Sequence, residues 1–202
     1  NNCAIMQPTF MPWVGYFDLI HSVDKFVFLD DVQLTKRSWQ VRNKLKTSNG
    51  EHFISIPIEK TKRRDELNIN SAILNGTEWK EKLLTTIQYS YKKSDYFSLV
   101  YPFLEDIINY KSHILSEFNI NMIIEICKKI NIETEFIKSS ELTNINGKKD
   151  TKLVEICSSI NIKEYLSPQG SAIYIEEQSP GGEFTKNNIE LYYHNYNPVN
   201  YK

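Results

Sequence analysis

The residues able to do chemistry crowd into the first 43 positions. Gln7-Pro8 opens the run and Trp13-Val14-Gly15-Tyr16-Phe17 follows. Then come Asp30-Asp31-Val32-Gln33 and Lys36-Arg37-Ser38-Trp39-Gln40-Val41-Arg42-Asn43. Guanidinium groups hold phosphate through paired N–H donors, so Arg37 and Arg42, with Lys36, suit the diphosphate of an anionic ligand. Trp13, Tyr16 and Trp39 offer flat apolar faces to a ring, while Gln7, Gln33 and Asn43 offer hydrogen bonds to hydroxyl groups. Asp30 or Asp31 could accept a proton as a general base. The same two carboxylates could cap a helix or hold a loop. With no histidine or third carboxylate beside them they are a weak metal signal.

Charge is segregated. Between Lys36 and Arg64 stand nine Lys/Arg against Glu51 and Glu59, a net of +7 in a chain whose total is −1. A solvated hairpin face accounts for Lys44 and Lys46. It accounts less well for Arg37 and Arg42, which flank Trp39. An aromatic among cations could also clamp a single nucleic-acid strand, but no recognised nucleic-acid motif accompanies it. The near-neutral total excludes a global field that would steer the chain to nucleic acid or an anionic membrane. No GxSxG, P-loop, GxGxxG or metal-ligand spacing is present. His21 and His52 read as surface or capping residues. Cys3, Cys127 and Cys157 cannot all pair and none sits in CxxC; Cys127 and Cys157 read as buried small hydrophobes in a reduced, cytoplasmic setting.

Periodicity supplies the elements that must position these residues. Cys3–Met6 is a short strand, ended by a loop that Pro8 and Pro12 stiffen. A helix is expected from Trp13 to about Val23, with Trp13, Phe17 and Ile20 on one face. Lys25–Leu29 is a near-continuous apolar run, suited to a strand buried on both faces. Strand, helix and strand make a βαβ unit. Residues just after its two strands share one sheet edge, so the loops 7–11 and 30–33 should be neighbours with a ligand crevice between them.

Further on, Asn49-Gly50 signals a hairpin within residues 40–58. Trp79, Leu83, Leu84, Ile87 and Tyr91 are helix-spaced, as are Leu99, Phe103, Ile107 and Ile108, giving a helical insertion at about 77–130. Ile124-Glu125-Ile126-Cys127 and the Ile130-Asn131-Ile132 after it echo Val154-Glu155-Ile156-Cys157 and Ile160-Asn161-Ile162. Each echo reads as a helix end followed by a strand, at Thr134–Lys138 and Glu164–Ser167. Ala172–Ile175 and Ile189–Tyr193 are expected as strands joined through Pro180-Gly181-Gly182. The expected fold is α/β: a single domain over 1–202 with a mostly parallel Rossmann-like sheet, a β-hairpin and the helical insertion. No apolar run approaches the ~20 residues of a membrane span. No leader is visible, and the stop soon after a strand-like run suggests that the native chain continues past Lys202.

Three strings carry a resemblance: Gln7-Pro-Thr-Phe-Met-Pro-Trp-Val-Gly-Tyr-Phe-Asp18, Asp24-Lys-Phe-Val-Phe-Leu-Asp-Asp-Val-Gln33 and Lys36-Arg-Ser-Trp-Gln-Val-Arg-Asn43. They resemble the WbqC-like family, whose members are associated with bacterial O-antigen gene clusters; glycine transfer to a sugar is suggested for some. Tyr165-Leu-Ser-Pro-Gln-Gly-Ser171, Tyr174 and the region Asn195 to Tyr201 extend the likeness over nearly the whole chain. The resemblance implies a cytoplasmic transferase that puts an aminoacyl group such as glycine on the amine of a dTDP- or UDP-linked amino sugar in lipopolysaccharide biosynthesis. Its donor would be glycine activated on a carrier or on tRNA, or activated in place with ATP; no metal and no membrane insertion are implied, and nucleic acid enters only as aminoacyl-tRNA. The alternative is a non-catalytic sugar-nucleotide-binding protein that docks a partner enzyme. The strand, Thr-x-x-Pro loop, helix and strand are also similar to the opening of nucleotidyltransferases and pantothenate-synthetase-like ligases. Those enzymes carry a His-x-Gly-His turn where this chain has Pro12-Trp-Val-Gly-Tyr16, so that likeness implies a nucleotide-sized crevice and no adenylylation.

Overall fold

A computed structural model describes residues 1–35, 37–60, 63, 66–177 and 179–198. Lys36 therefore lies outside the described residues. In chain order the elements are β1 (Asn2–Met6), α1 (Val14–His21), β2 (Lys25–Phe28), β3 (Arg42–Thr47), β4 (Gly50–Ser55), α2 (Glu78–Tyr91) and α3 (Phe97–Ile108). They continue with α4 (Leu115–Lys129), β5 (Glu135–Lys138), α5 (Asp150–Ser159), β6 (Glu164–Pro168), α6 (Ala172–Ile175), α7 (Gly182–Lys186) and β7 (Glu190–His194). The chain divides into two compact units. The first comprises Asn1–Gln7, Trp13–Asp30 and Ile130 onward; the second comprises Pro8–Pro12 and Asp31–Lys129.

The first unit holds a five-stranded sheet in the order β5-β2-β1-β6-β7, parallel throughout. β1 and β2 pair from Cys3↔Lys25 to Met6↔Phe28. Alternation then sends Ile5 and Val27 to one face, where they share a core with Leu153, Ile156 and Cys157 of α5. Phe26 and Phe28 take the other face. There Phe26 meets Tyr16 of α1 at 5.5 Å between ring centroids, and Phe28 stacks on Phe136 of β5 at 5.4 Å. Helices thus cover both faces, which is why these strands read as unbroken apolar runs. Burying each of these phenylalanines stabilises the fold by about 1.5–3 kcal/mol.

The internal echo has a local cause. Asn161 adopts φ 57° just past α5. Its N–H donates to Ser158 O at 3.2 Å and the Ile162 N–H to Cys157 O at 2.8 Å. This is a left-handed helix stop in which asparagine does the work of glycine. Asn131, after α4, has the same φ of 58°. Asn188, after α7, repeats it at 54° with Ile189 N–H donating to Phe184 O at 3.0 Å.

Two expectations change. Ala172–Ile175 is a helical turn, not a strand: the Glu176 N–H donates back to Ala172 O at 2.9 Å. The buried face of α1 is Gly15, Tyr16, Leu19 and Ile20 rather than Trp13, Phe17 and Ile20. The helix begins at Val14, so Trp13 is its extended cap (φ −74°, ψ 164°) and stands off the helical wheel, 57% exposed.

The second unit contains the expected hairpin, β3 paired with β4 from Arg42↔Ser55 to Thr47↔Gly50. Gly50 takes φ 96° as the chain re-enters the ladder, a conformation that only glycine adopts without strain. α2, α3 and α4 are the helices expected over about 77–130. Their core gathers around Trp79, which meets Phe118 edge-on at 5.2 Å and Phe10 at 6.1 Å. Lys80 is only 8% exposed. Its ammonium donates to Tyr110 O at 2.7 Å, and burial pushes its pKa down.

Candidate functional site

In the second unit the structure brings Arg37 and Arg42 together. Both line a hollow of about 460 Å³, with Lys60 and Glu59 also on its wall and Phe53, Ile56 and Val41 among its apolar lining. The Arg42 guanidinium lies over the Phe53 ring at 4.8 Å, yet its Nε is buried with no hydrogen-bond partner among the described residues. An unsatisfied buried donor costs about 1–3 kcal/mol. Arg37 has φ 58°. That conformation is uncommon for a long side chain, and such residues cluster at ligand sites.

The loop that follows β1 is held by amides. Asn43 Nδ2 donates to Phe10 O at 3.0 Å and Met11 O at 2.8 Å, while its Oδ1 accepts from the Lys44 N–H at 2.8 Å. Asn119 Nδ2 donates to Pro8 O at 3.0 Å and Gln40 O at 2.9 Å. Phe10 N–H completes the seam by donating to Trp39 O at 2.9 Å. Asn43, expected to meet a ligand hydroxyl, thus spends its amide on the backbone of Phe10 and Met11. Trp39 is half exposed and keeps a ring face in solvent. Gln33 is exposed, bridging to Asn68, and Asp31 is half-buried.

In the first unit the ends of β1 and β2 are adjacent, with Leu29 N–H donating to Met6 O at 2.9 Å. Asp30 is 2% exposed. Its carboxylate accepts from Ser139 Oγ at 3.1 Å, Ser140 N–H at 3.0 Å and Ser140 Oγ at 2.7 Å. It therefore caps the short 3-10 turn after β5. Gln7 follows β1, and its carbonyl accepts from the Tyr16 hydroxyl at 3.0 Å. Tyr16 is 1% exposed, so it presents no face to a ring. Trp13 does: it is open on one side and edge-on to Tyr196 at 5.2 Å.

Strand order sets the topological switch point apart from the two loops expected to frame the crevice. The chain moves outward from β1 to β2 to β5 and re-enters on the other side of β1 as β6. The switch point is between β1 and β6, not between β1 and β2. β1 and β6 pair only through Asn2↔Glu164 and Cys3↔Tyr165, so their ladder stops before the carboxyl ends. Residues at that end escaped the sequence reading. Gln169, in the turn after β6, donates to Asn195 Oδ1 at 3.3 Å. His194, the last residue of β7, lies 2.7 Å from Asp18 of α1 through its Nε2. The only sequence signal for them was their place at or beside the strings that carried the family resemblance.

Other titratable groups are structural. Cys3 and Cys157 touch at 3.7 Å between sulfurs in the core, and that contact together with burial raises the Cys157 pKa. Burial pushes the Cys127 thiol up to about 12. The Tyr193 hydroxyl donates to Glu176 at 2.6 Å; burial first, and then this bond, raise its pKa. Among the described residues no three His, Cys, Asp or Glu come together as a metal cage, and no helix is long and apolar enough to cross a membrane.

Against this geometry stand the comparisons with known proteins. The family model described as the WbqC-like protein family matches residues 7–202. Uncharacterized protein Rv1507c of Mycobacterium tuberculosis (strain ATCC 25618 / H37Rv) is 32% identical over 176 residues, covering 87% of this chain and 75% of its own. No solved structure matches the chain.

Proposed function

Because the chain belongs to the WbqC-like protein family, we propose that it is a transferase acylating the amine of a nucleotide-linked amino sugar with glycine, in O-antigen biosynthesis. The observation that carries the reading is the hollow lined by Arg37 and Arg42, with the Arg42 guanidinium over the Phe53 ring. Two guanidiniums suit a diphosphate, and Phe53 and the aliphatic lining suit the flat base attached to it. The exposed Trp39 offers a stacking face in the same unit.

Acylation requires the attacking amine to lose a proton. Asp31, half-buried and in the same unit as the two arginines, is the carboxylate of the pair that takes this role. An arginine N–H stabilises the oxyanion of the tetrahedral intermediate. The nucleotide is dTDP or UDP. The donor is glycine activated on a carrier or on tRNA, or activated in place with ATP. The commitment of Asp30 also favours a second reading, a sugar-nucleotide-binding protein without catalysis.

One experiment separates the two. The protein is incubated with a dTDP- or UDP-linked amino sugar and each donor in turn. Mass spectrometry reads a glycyl adduct and calorimetry reads binding. The transferase reading expects an adduct that Arg37→Ala or Asp31→Ala abolishes. Binding with no mass gain in any mixture replaces it with the second reading. Wild-type affinity in both Arg37→Ala and Arg42→Ala overturns the site itself.

A further inference from the structure

The hollow that holds Arg37 and Arg42 is not uniformly basic. Its described wall carries three cations, Arg37, Arg42 and Lys60, and one acid, Glu59. Glu59 is exposed, and its carboxylate makes no hydrogen bond or ion pair with a described residue. Its backbone is anchored: Glu59 N–H donates to Ile73 O at 2.9 Å, beside the bridge of Ile58 to Leu74. The acid is therefore presented from a fixed, extended segment. Three groups of opposite charge share its wall, and none of them takes it up.

Glu59 also lines a second hollow of the same unit, of about 870 Å³. The balance of charge there is reversed. Glu78, Glu81 and Glu105 stand on its wall with Glu59, against Lys80 and Lys111. The Lys80 ammonium is already bonded to Tyr110 O at 2.7 Å. Glu59 thus stands where a basic hollow meets an acidic one. A ligand lying across such a boundary gains most when it carries both signs, anionic at the arginines and cationic at Glu59. A hydroxyl sugar on a diphosphate answers the arginines alone. An amino sugar on the same diphosphate answers both, because its ammonium donates to the carboxylate in a charge-assisted bond.

We propose that Glu59 reads the amine: it holds the ammonium of a nucleotide-linked amino sugar at the wall the two hollows share, and so selects amino sugars over hydroxyl sugars on the same nucleotide. This rests on the reading of the arginine hollow as a nucleotide-sugar site and deepens it. It requires binding only, so it holds whether or not a glycyl group is then transferred.

Calorimetry tests it with three ligands, each in a dTDP-linked and a UDP-linked form. They are the amino sugar, the same sugar with a hydroxyl in place of the amine, and the N-acetyl derivative, which keeps the nitrogen but loses the charge. The wild type should bind the amino sugar about 3–10-fold more tightly than either neutral ligand in at least one series. Glu59→Gln, close in shape but uncharged, should bind all three alike. Glu59→Asp, which draws the carboxylate back by one methylene, should keep part of the preference. A structural role for Glu59 would shift the three affinities together and leave their ratio as it was. Equal wild-type affinities, or a preference that survives in Glu59→Gln, overturn the proposal while the arginine hollow stands. If no ligand of either series binds, the arginine hollow is not a nucleotide-sugar site, and the role of Glu59 falls with it.

Discussion

Replacing Asp30 by alanine removes the acceptor of three hydrogen bonds, from Ser139 Oγ, Ser140 N–H and Ser140 Oγ. Hydrogen bonds to a charged group contribute about 1.5–3 kcal/mol each, but they do not add when they share one acceptor. The two hydroxyls can rotate to new partners, whereas the Ser140 N–H is fixed by the backbone and stays unsatisfied. The expected loss is therefore about 3 kcal/mol, near one full bond plus the penalty of the orphaned donor. For a chain of this length 1 kcal/mol moves the melting temperature by about 2–4 °C, so the variant should melt roughly 6–12 °C below wild type. Asp30→Asn keeps one carbonyl oxygen for Ser140 and should lose about half as much. Circular dichroism against temperature reads both. If Asp30 were a base rather than a cap, Asp30→Asn would melt as wild type and lose turnover. An Asp30→Ala protein melting within about 2 °C of wild type would refute the capping argument.

Arg42→Ala should weaken binding of a dTDP-linked sugar about 10–100-fold and flatten its salt dependence, read by calorimetry at two ionic strengths; Arg42→Lys should not restore it, because an ammonium lacks the paired donors. Gly182 has φ 49°, and an added Cβ would stand 2.5 Å from Ile175 O, so Gly182→Ala should cost about 1–3 kcal/mol in a denaturant melt. With its thiol pushed up to about 12, Cys127 should resist iodoacetamide in the native protein at mildly alkaline pH and react on unfolding, as mass spectrometry of the peptide can read. Burial raises the Tyr165 pKa above its ordinary 10.0. The folded state then keeps a proton that the unfolded state gives up, so this part of the stability is complete below about pH 10 and is lost as pH rises beyond it. Tyr165→Phe should flatten that alkaline decline relative to wild type.

The sequence disclosed what depends on neighbours along the chain. Continuous apolar runs announced β1 and β2, Asn49-Gly50 announced the hairpin, and the repeated Ile-Asn-Ile announced a helix stop followed by a strand. Ala172–Ile175 misled because four residues are too few for a period of two to be told from one of 3.6. Trp13 misled because it precedes the helix in an extended conformation, so the helical period does not reach it. Arg37 and Arg42 were legible as candidates for one site because guanidinium chemistry travels with the residue, and both line one hollow. Asn43 was not legible as a brace for Phe10 and Met11, and Asp18 and His194 did not announce each other. Those roles exist only once strand order and long-range contact are set. The β1/β6 switch point was hidden for the same reason.

The order in which this chain is made gives the split sheet a cost. β1 and β2 are synthesised early, but β5, β6 and β7 arrive only after the whole of Asp31–Lys129 has left the ribosome. Until then the pair exposes both margins, with unmatched N–H and C=O groups, Phe28 lacks its stack on Phe136, and Ile5 and Val27 lack the cover of α5. Bare strand margins of that kind seed clumping. A message cut short near Lys129 would release β1 and β2 without β5 and β6, the strands that cover their margins.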